Sequence, residues 1–455
     1  MKLKTLAIAM SIALPGLVHA NTMDFKTSVE TTLSQNPQRD VSSARIQQAQ
    51  AALKQAQSSR LPQFTVSLTA SHSDNPLNVF GMKLQQREAT FRDFGFAEAP
   101  PTGTIDTKPD DLNNPDAYTD YNTRIEMLLP IWNGGKISSY QKQASAMLEA
   151  AQKGDVAVQQ MLTFYVYEAY EGVHAARSFI HVAEQALKAA QAYVNTTRNL
   201  VRQGIVVRSE LLSAQAHEAE VELMLEQAKN QEQLALDGLR SLMGLDADAP
   251  LDVGNRVNVS LPTQDLAELT DMALNANPKL QAMRQQTKAS YAAVRASKAD
   301  LYPSFNLMAR NDWNDNELGF NASSYTVAAV ASWKITDFGV TSRGVDKANA
   351  QAKEQDAQLR AEERNVRLNV LKAWRQYQNE LKKVESNKAA LEYATEAQAL
   401  ISRRYETGVA TMTEVLASQA QLDKARAELV SAEYAMNIQK AQLRLAAGRM
   451  SLDQM

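Results

Sequence analysis

The chain has 455 residues, 44% hydrophobic, 22% charged and 6% aromatic, with 48 Lys+Arg against 51 Asp+Glu and no cysteine. The missing cysteine excludes a disulfide framework, a thiolate metal site, a cysteine nucleophile and a lipidated N-terminal cysteine, and a formal net charge of −3 gives no global attraction to nucleic acid. Length alone would hold roughly two to four ordinary domains. All 13 prolines, however, lie at or before Pro303, leaving 131–249 and 304–455 free of them. Proline disrupts helix interiors, so these stretches predict very long helices.

Residues 1–20 read as a secretory signal peptide: Lys2 and Lys4 at the basic end, an apolar stretch Leu6 to Val18, and a small-residue cleavage site ending at Ala20. The apolar stretch contains Pro15 and Gly16 and is too short to span a bilayer as a helix. The remaining chain has no other apolar run of membrane-spanning length. A short helix then closes at Asn36-Pro37, since the residue before proline resists helical geometry, and a second helix ends at Leu61-Pro62. Strands are predicted at about 63–72 and 120–131, separated by a long loop with a short helix around Val79 to Arg87. A very long helix follows to a turn at Gly204, and a returning helix runs to Gly244.

The same order then repeats. "LSQNPQ" at Leu33 to Gln38 recurs as "LNANPK" at Leu274 to Lys279, and Pro62 and Phe64 match Pro303 and Phe305 at the same offset of 241. Beyond the strands the offset becomes 204: "RQGIVVRSELLSAQA" from Arg202 matches "ETGVATMTEVLASQA" from Glu406, and Gly244 matches Gly448. Two constant offsets require one length change of 241 − 204 = 37 residues between Phe64 and Ile131. The chain is therefore read as a tandem duplication, 24–248 and 265–450, with the second strand pair at about 304–312 and 324–335 and the second turn at Gly408.

The predicted strands alternate. Phe64, Val66, Leu68 and Ala70 oppose Thr65, Ser67, Thr69 and Ser71, while Tyr121, Thr123, Ile125 and Met127 oppose Asn122, Arg124 and Glu126. The second pair sets Phe305, Leu307 and Ala309 against Asn306, Met308 and Arg310, and Tyr325, Val327, Ala329, Ala331 and Trp333 against Thr326, Ala328, Ser332 and Lys334. Such strands fit either hairpins on a soluble core or tilted membrane strands. Four cannot close a membrane barrel, so a membrane reading requires several chains to pool theirs. The long helices, 69 residues between Gly135 and Gly204 and again between Gly339 and Gly408, would each reach ~100 Å, with return helices of roughly 55 Å. The return helices carry heptad seams: Val415, Leu422, Leu429, Met436 and Leu443 with Ser418, Ala425 and Ala432, and in the first copy Ala214, Val221, Ala228, Ala235 and Leu242.

Nothing assembles a catalytic or metal site. His174 and His181 share a helix face without a completing acid, and His217-Glu218 lacks the second histidine of a zinc-protease helix. No phosphate-binding glycine loop or nucleophile elbow occurs, so no enzyme, cofactor or metal is expected.

An exported, duplicated chain with two strands between long helices in each copy, the two Gly turns quoted above and two Asn-Pro closures resembles the outer-membrane efflux (TolC-like) family, over about Asp24 to Gly448. The resemblance implies a mainly α fold with a small β part: a long antiparallel α-helical coiled-coil barrel plus four transmembrane strands per chain, which complete a twelve-stranded barrel in a homotrimer. It implies an outer-membrane protein of a Gram-negative bacterium with a large periplasmic part. Such a protein is a passive exit duct of a tripartite efflux or type I secretion system, contacting outer-membrane lipid, a periplasmic adaptor and an inner-membrane pump of resistance-nodulation-division or ABC type, and no nucleic acid. Gly204, Ile205, Gly408 and Val409 match the turns that meet the adaptor, and exposed Ile205-Val206-Val207 and Val409-Ala410 would suit such a contact. Tyr405 and Glu414 match positions of the family's periplasmic gate, with Glu210 as a supplement from the first copy. The chain departs at Ala410, where family members can have arginine, and at Ala417, where a second acid can stand. For Glu414 the alternative is an ordinary solvated helix carboxylate, and for the whole chain it is a periplasmic coiled-coil adaptor or structural protein without a channel.

Overall fold

The computed structural model describes residues 22–454, so the expected signal peptide lies outside the described residues. The first half runs β1 (Thr22–Met23), α1 (Phe25–Gln35), α2 (Pro37–Ser58), β2 (Gln63–Ser73), α3 (Pro76–Gln85), α4 (Asp110–Asn113), β3 (Tyr118–Trp132), α5 (Lys136–Arg202) and α6 (Arg208–Met243). After β4 (Asp252–Val253) the second half runs α7 (Leu266–Ala276), α8 (Pro278–Ala299), β5 (Ser304–Asp315), β6 (Ser323–Ser332), α9 (Val340–Glu406) and α10 (Met412–Ala446). The sequence offsets return as structural ones. α1 and α7, α2 and α8, and β2 and β5 begin 241 residues apart, while α5 and α9, and α6 and α10, begin 204 apart. α5 and α9 are each unbroken over 67 residues. Among the described residues no helix is long and apolar enough to cross a membrane.

Matched residues set the helix ends. Asp24 accepts from Thr27 N at 2.8 Å and Asp265 from Ala267 N at 3.1 Å, each capping the first helix of its half. Asn36 and Asn277 stop those helices and cap the next, accepting from Gln38 N at 2.9 Å and Lys279 N at 3.0 Å. Proline at the first position of α2 and α8 costs no hydrogen bond there. Gly448, at φ +72°, closes α10 so tightly against Asn277 that a Cβ would stand 2.9 Å from its Cα.

The chain divides into two compact units, each drawing on both halves. The first holds the described residues up to Ile46, Ala151–Met283 and Leu359 onward. Its largest core gathers Phe25, Tyr167, Tyr170, Leu239, Met243 and Val253. Phe25 meets Tyr167 and Tyr170 edge to face at 5.9 and 5.7 Å. β1 and β4 pair in parallel beside this core, and fully buried Glu171 accepts from Arg256 Nε at 2.9 Å. A second core joins Leu269 and Leu280 to Val366, Val370 and Leu443. Along the heptad seams Val415, Leu422, Ala425, Ala432, Leu443, Ala214 and Val221 are buried. Leu429, Met436, Ser418, Ala228, Ala235 and Leu242 are half-buried.

The second unit, Gln47–Ala150 and Arg284–Gln358, carries the sheet. Its order is β2-β3-β5-β6, antiparallel throughout, so the two hairpins are joined by β3 against β5. β3 exceeds its expected 120–131 because it has a partner on each side, from Ser73↔Tyr118 to Trp132↔Phe305, with a register shift at Ile131. β6 stops at Ser332, not at 335, because β5 begins at Ser304 and offers no partner beyond. Trp333 instead donates its indole N–H to Leu301 O at 3.2 Å. The helix expected around Val79 to Arg87 starts earlier, at Pro76, where Asn75 accepts from Leu77 N. The sheet's apolar face is open: Phe64, Val66 and Val327 are 69%, 70% and 64% exposed.

Candidate functional site

Each long helix turns at a glycine in the left-handed region, Gly204 at φ +75° and Gly408 at +74°, a conformation that costs a side-chain-bearing residue energy. The turns are closed alike: Ile205 N donates to Leu200 O at 3.0 Å and Val409 N to Arg404 O at 2.9 Å. They also abut, since a Cβ on Gly408 would lie 3.5 Å from Ile205 Cγ2. Ile205, Val207 and Val409 are exposed, as the sequence suggests for a contact tip. Val206 and Ala410 are not: Val206 is half-buried, and Ala410 packs with Tyr405, Met412 and Val415 in the cluster beneath the turns. The reason is local. Ala410 precedes the N-cap Thr411 and meets Val415 four residues beyond it, fixing the chain's approach to α10.

Tyr405 is 1% exposed, and its hydroxyl links three helices. It lies 3.0 Å from Thr197 Oγ1 on α5 and donates to Glu210 Oε2 on α6 at 3.3 Å. Burial raises the phenol's pKa, the Thr197 contact lowers it and Glu210 raises it again, with a net upward shift that keeps the hydroxyl a donor. Glu414 does not join this link. Its carboxylate accepts from Thr411 N at 2.8 Å and Thr411 Oγ1 at 3.1 Å, while Glu414 N donates to Thr411 Oγ1 at 3.3 Å, a complete capping box on α10. The Thr411 amide and hydroxyl, with a lesser contribution from Arg404, lower its pKa.

Sequence reading missed Thr197 and a second link deeper in the bundle. The Tyr193 hydroxyl donates to Gln419 Oε1 at 3.0 Å, lies 3.2 Å from Ser402 Oγ and is bonded by Gln398. Gln419, 1% exposed, donates in turn to Asp423 at 2.9 Å. The available signal was a polar residue on the buried side of a heptad helix, where Gln419 interrupts the run between Val415 and Leu422. Together the two links tie the hairpin α5–α6 to the hairpin α9–α10. Among the described residues no group of three or more His, Cys, Asp or Glu is placed to hold a metal ion.

The outer membrane efflux protein family matches residues 29–245 and 269–449. The chain belongs to this family. Membership makes it an outer-membrane protein of the Gram-negative type with a periplasmic helical part. Outer membrane protein TolC of Vibrio cholerae is 28% identical over 189 residues, 41% of this chain and 42% of TolC, so this match spans less than half of that relative. Protein CyaE of Bordetella pertussis is 25% identical over 334 residues, 71% of this chain and 70% of CyaE. The solved outer-membrane channel OprN superposes with a TM-score of 0.77 at 19% identity, covering 93% of this chain and 89% of that one, which shows the shared fold.

Proposed function

We propose that three copies of this chain form the outer-membrane exit duct of a tripartite efflux or type I secretion system. In this reading the two repeats, 24–248 and 265–450, each supply one strand pair and one helical hairpin. The observation that carries it is the sheet: four antiparallel strands with an exposed apolar face and two outer strands, β2 and β6, that end the sheet. In hydrocarbon an unpaired edge has no water to satisfy it, so it must be closed by another strand. Pairing β2 of one copy with β6 of the next closes a ring, and three copies of four strands give twelve. The apolar residues then face lipid and the polar residues the lumen.

The duct is passive, and the substrate is whatever an inner-membrane pump of resistance-nodulation-division or ABC type delivers through a periplasmic adaptor. Gly204, Ile205, Gly408 and Val409 form the adaptor contact, for the turns abut and expose the aliphatic side chains of Ile205 and Val409. Tyr405, Glu210 and Glu414 form the periplasmic gate. Tyr405 and Glu210 hold the two hairpins together, and Glu414 contributes a fixed negative charge beside the turn. The test is assembly and conduction. The purified protein should run as a trimer in detergent and conduct ions across planar bilayers. Recovery as a monomer from the soluble periplasm would overturn the proposal.

A further inference from the structure

The insertion between β2 and β3, residues 74–117, has no counterpart in the second half, where residues 316–322 join β5 to β6. It is a small fold in its own right. Val79 and Met82 are buried, Phe80 meets Phe94 edge to face at 4.9 Å, and Lys83 Nζ donates to Asp93 Oδ1 at 2.6 Å. Two neighbouring residues fix where it sits. Gln86, 7% exposed, donates Nε2 to Asp120 Oδ1 and to Thr119 O of β3, both at 2.9 Å, and accepts from the Tyr118 hydroxyl at 2.8 Å. Arg87 then turns back in the left-handed region, at φ +62°, and donates Nη2 to Ser323 O of β6 at 2.6 Å.

In the order β2-β3-β5-β6, contacts to β3 and β6 lie on either side of β5, so the segment after α3 crosses the sheet. Asp120 fixes the side on which it crosses. It alternates with Asn122 and Arg124 on the polar face, and there Asp120, 5% exposed, meets Gln86, while Phe64, Val66 and Val327 of the apolar face stand open. We propose that the insertion is a lid lying across the lumen side of the outer mouth, latched to β3 by Gln86 and to β6 by Arg87. This rests on the trimeric barrel proposed above, which makes the polar face the lumen wall. The buried Gln86 contacts act as the hinge and the exposed Arg87 contact as the catch. The lid limits entry of bulky solutes from outside, whatever the state of the periplasmic gate.

Because the chain has no cysteine, single-cysteine reporters read this directly in the full-length protein in intact cells. Thr69→Cys reports the lumen wall, and Ile105→Cys, at a residue 93% exposed, reports the insertion's outer surface. Both are treated with a small and with a bulky membrane-impermeant maleimide. Ile105→Cys should react quickly with both reagents, and Thr69→Cys quickly with the small one only. Adding Arg87→Ala should speed bulky labelling of Thr69→Cys about tenfold, the population change expected for loss of one charge-assisted hydrogen bond. Replacing 77–116 with a short Gly-Ser turn should bring it to the rate of Ile105→Cys. Unchanged bulky labelling of Thr69→Cys after Arg87→Ala, in protein that still runs as a trimer, overturns the lid and leaves the duct standing. Failure of Ile105→Cys to label in intact cells overturns the duct reading, and the lid with it.

Discussion

Replacing Tyr405 by Phe removes one hydroxyl and leaves the packing of the ring among Val194, Leu200, Met412 and Val415 intact. Two contacts go with it. Thr197, fully buried, loses its partner at 3.0 Å, a loss of about 1–3 kcal/mol for a buried polar group left unsatisfied. The hydroxyl-to-carboxylate bond to Glu210 is long at 3.3 Å, so it belongs near the bottom of the range of about 1.5–3 kcal/mol for bonds to charged groups. Part of both losses is returned by water once the hairpins separate, leaving about 1–2 kcal/mol per copy in favour of the separated state. A change of about 1.4 kcal/mol is tenfold, so even one link per trimer should raise the open population about tenfold, and three links breaking together about a thousandfold. Single-channel recording of the purified trimer measures this as open probability. An unchanged open probability in a variant that assembles normally would refute the view that this hydroxyl holds the hairpins closed.

Other substitutions separate roles that share the same small region. Glu414→Gln keeps a side chain able to complete the capping box, so thermal stability should hold while cation selectivity at the periplasmic end falls; Glu414→Ala should lose both, and equal selectivity in all three proteins would remove the charge from the gate. Val409→Asp, at an exposed tip residue, should leave trimer stability within about 0.5 kcal/mol yet abolish adaptor crosslinking and export, and normal crosslinking would move the contact elsewhere. In the insertion, burial opposes the charge of Asp93, but the Lys83 ammonium and the Thr90 amide and hydroxyl outweigh it and hold the carboxyl at about 2, below its ordinary 3.8. A depressed folded pKa gives stability that is complete above about pH 4 and lost as pH falls through about 2, so hydrogen exchange around residues 90–94 should accelerate only in that window, and Asp93→Asn should abolish the dependence.

The parts of the fold legible in the sequence are those written as period or punctuation. The offsets of 241 and 204, read from Asn-Pro closures and Gly turns, reappear in the starts of five pairs of elements. Proline-free runs became two unbroken 67-residue helices. What was not legible depends on contacts between residues far apart with no local signature. β4 pairs with β1 across 230 residues, and Arg256 finds buried Glu171 across 85. The pairing of β3 with β5 follows from neither hairpin alone, and the course of the insertion rests on Gln86 meeting Asp120 and Arg87 meeting Ser323. At the candidate site the turns were legible because glycine is favoured at their φ, whereas Thr197 is an ordinary helix residue until the fold buries it.

The duplication also explains why two matched acids part company. Glu210 and Glu414 are related by the offset of 204, three residues after the N-cap of α6 and of α10. The N-cap of α10 is Thr411, whose hydroxyl and amide hold Glu414 to its own helix. At the matched position of α6 stands Val207, which makes no side-chain cap, so Glu210 is left to accept from Tyr405. One hydroxyl therefore decides whether a duplicated carboxylate serves its helix or the link between hairpins. The substitution Val207→Thr tests this without touching either acid or the tyrosine. A new capping box should stabilise α6 by about 1 kcal/mol while drawing Glu210 away from Tyr405. Thermal stability and open probability should then rise together, an outcome that neither a general loosening nor a general tightening of the bundle produces. If stability rises and open probability stays fixed, Glu210 holds nothing closed and its contact with Tyr405 is packing alone.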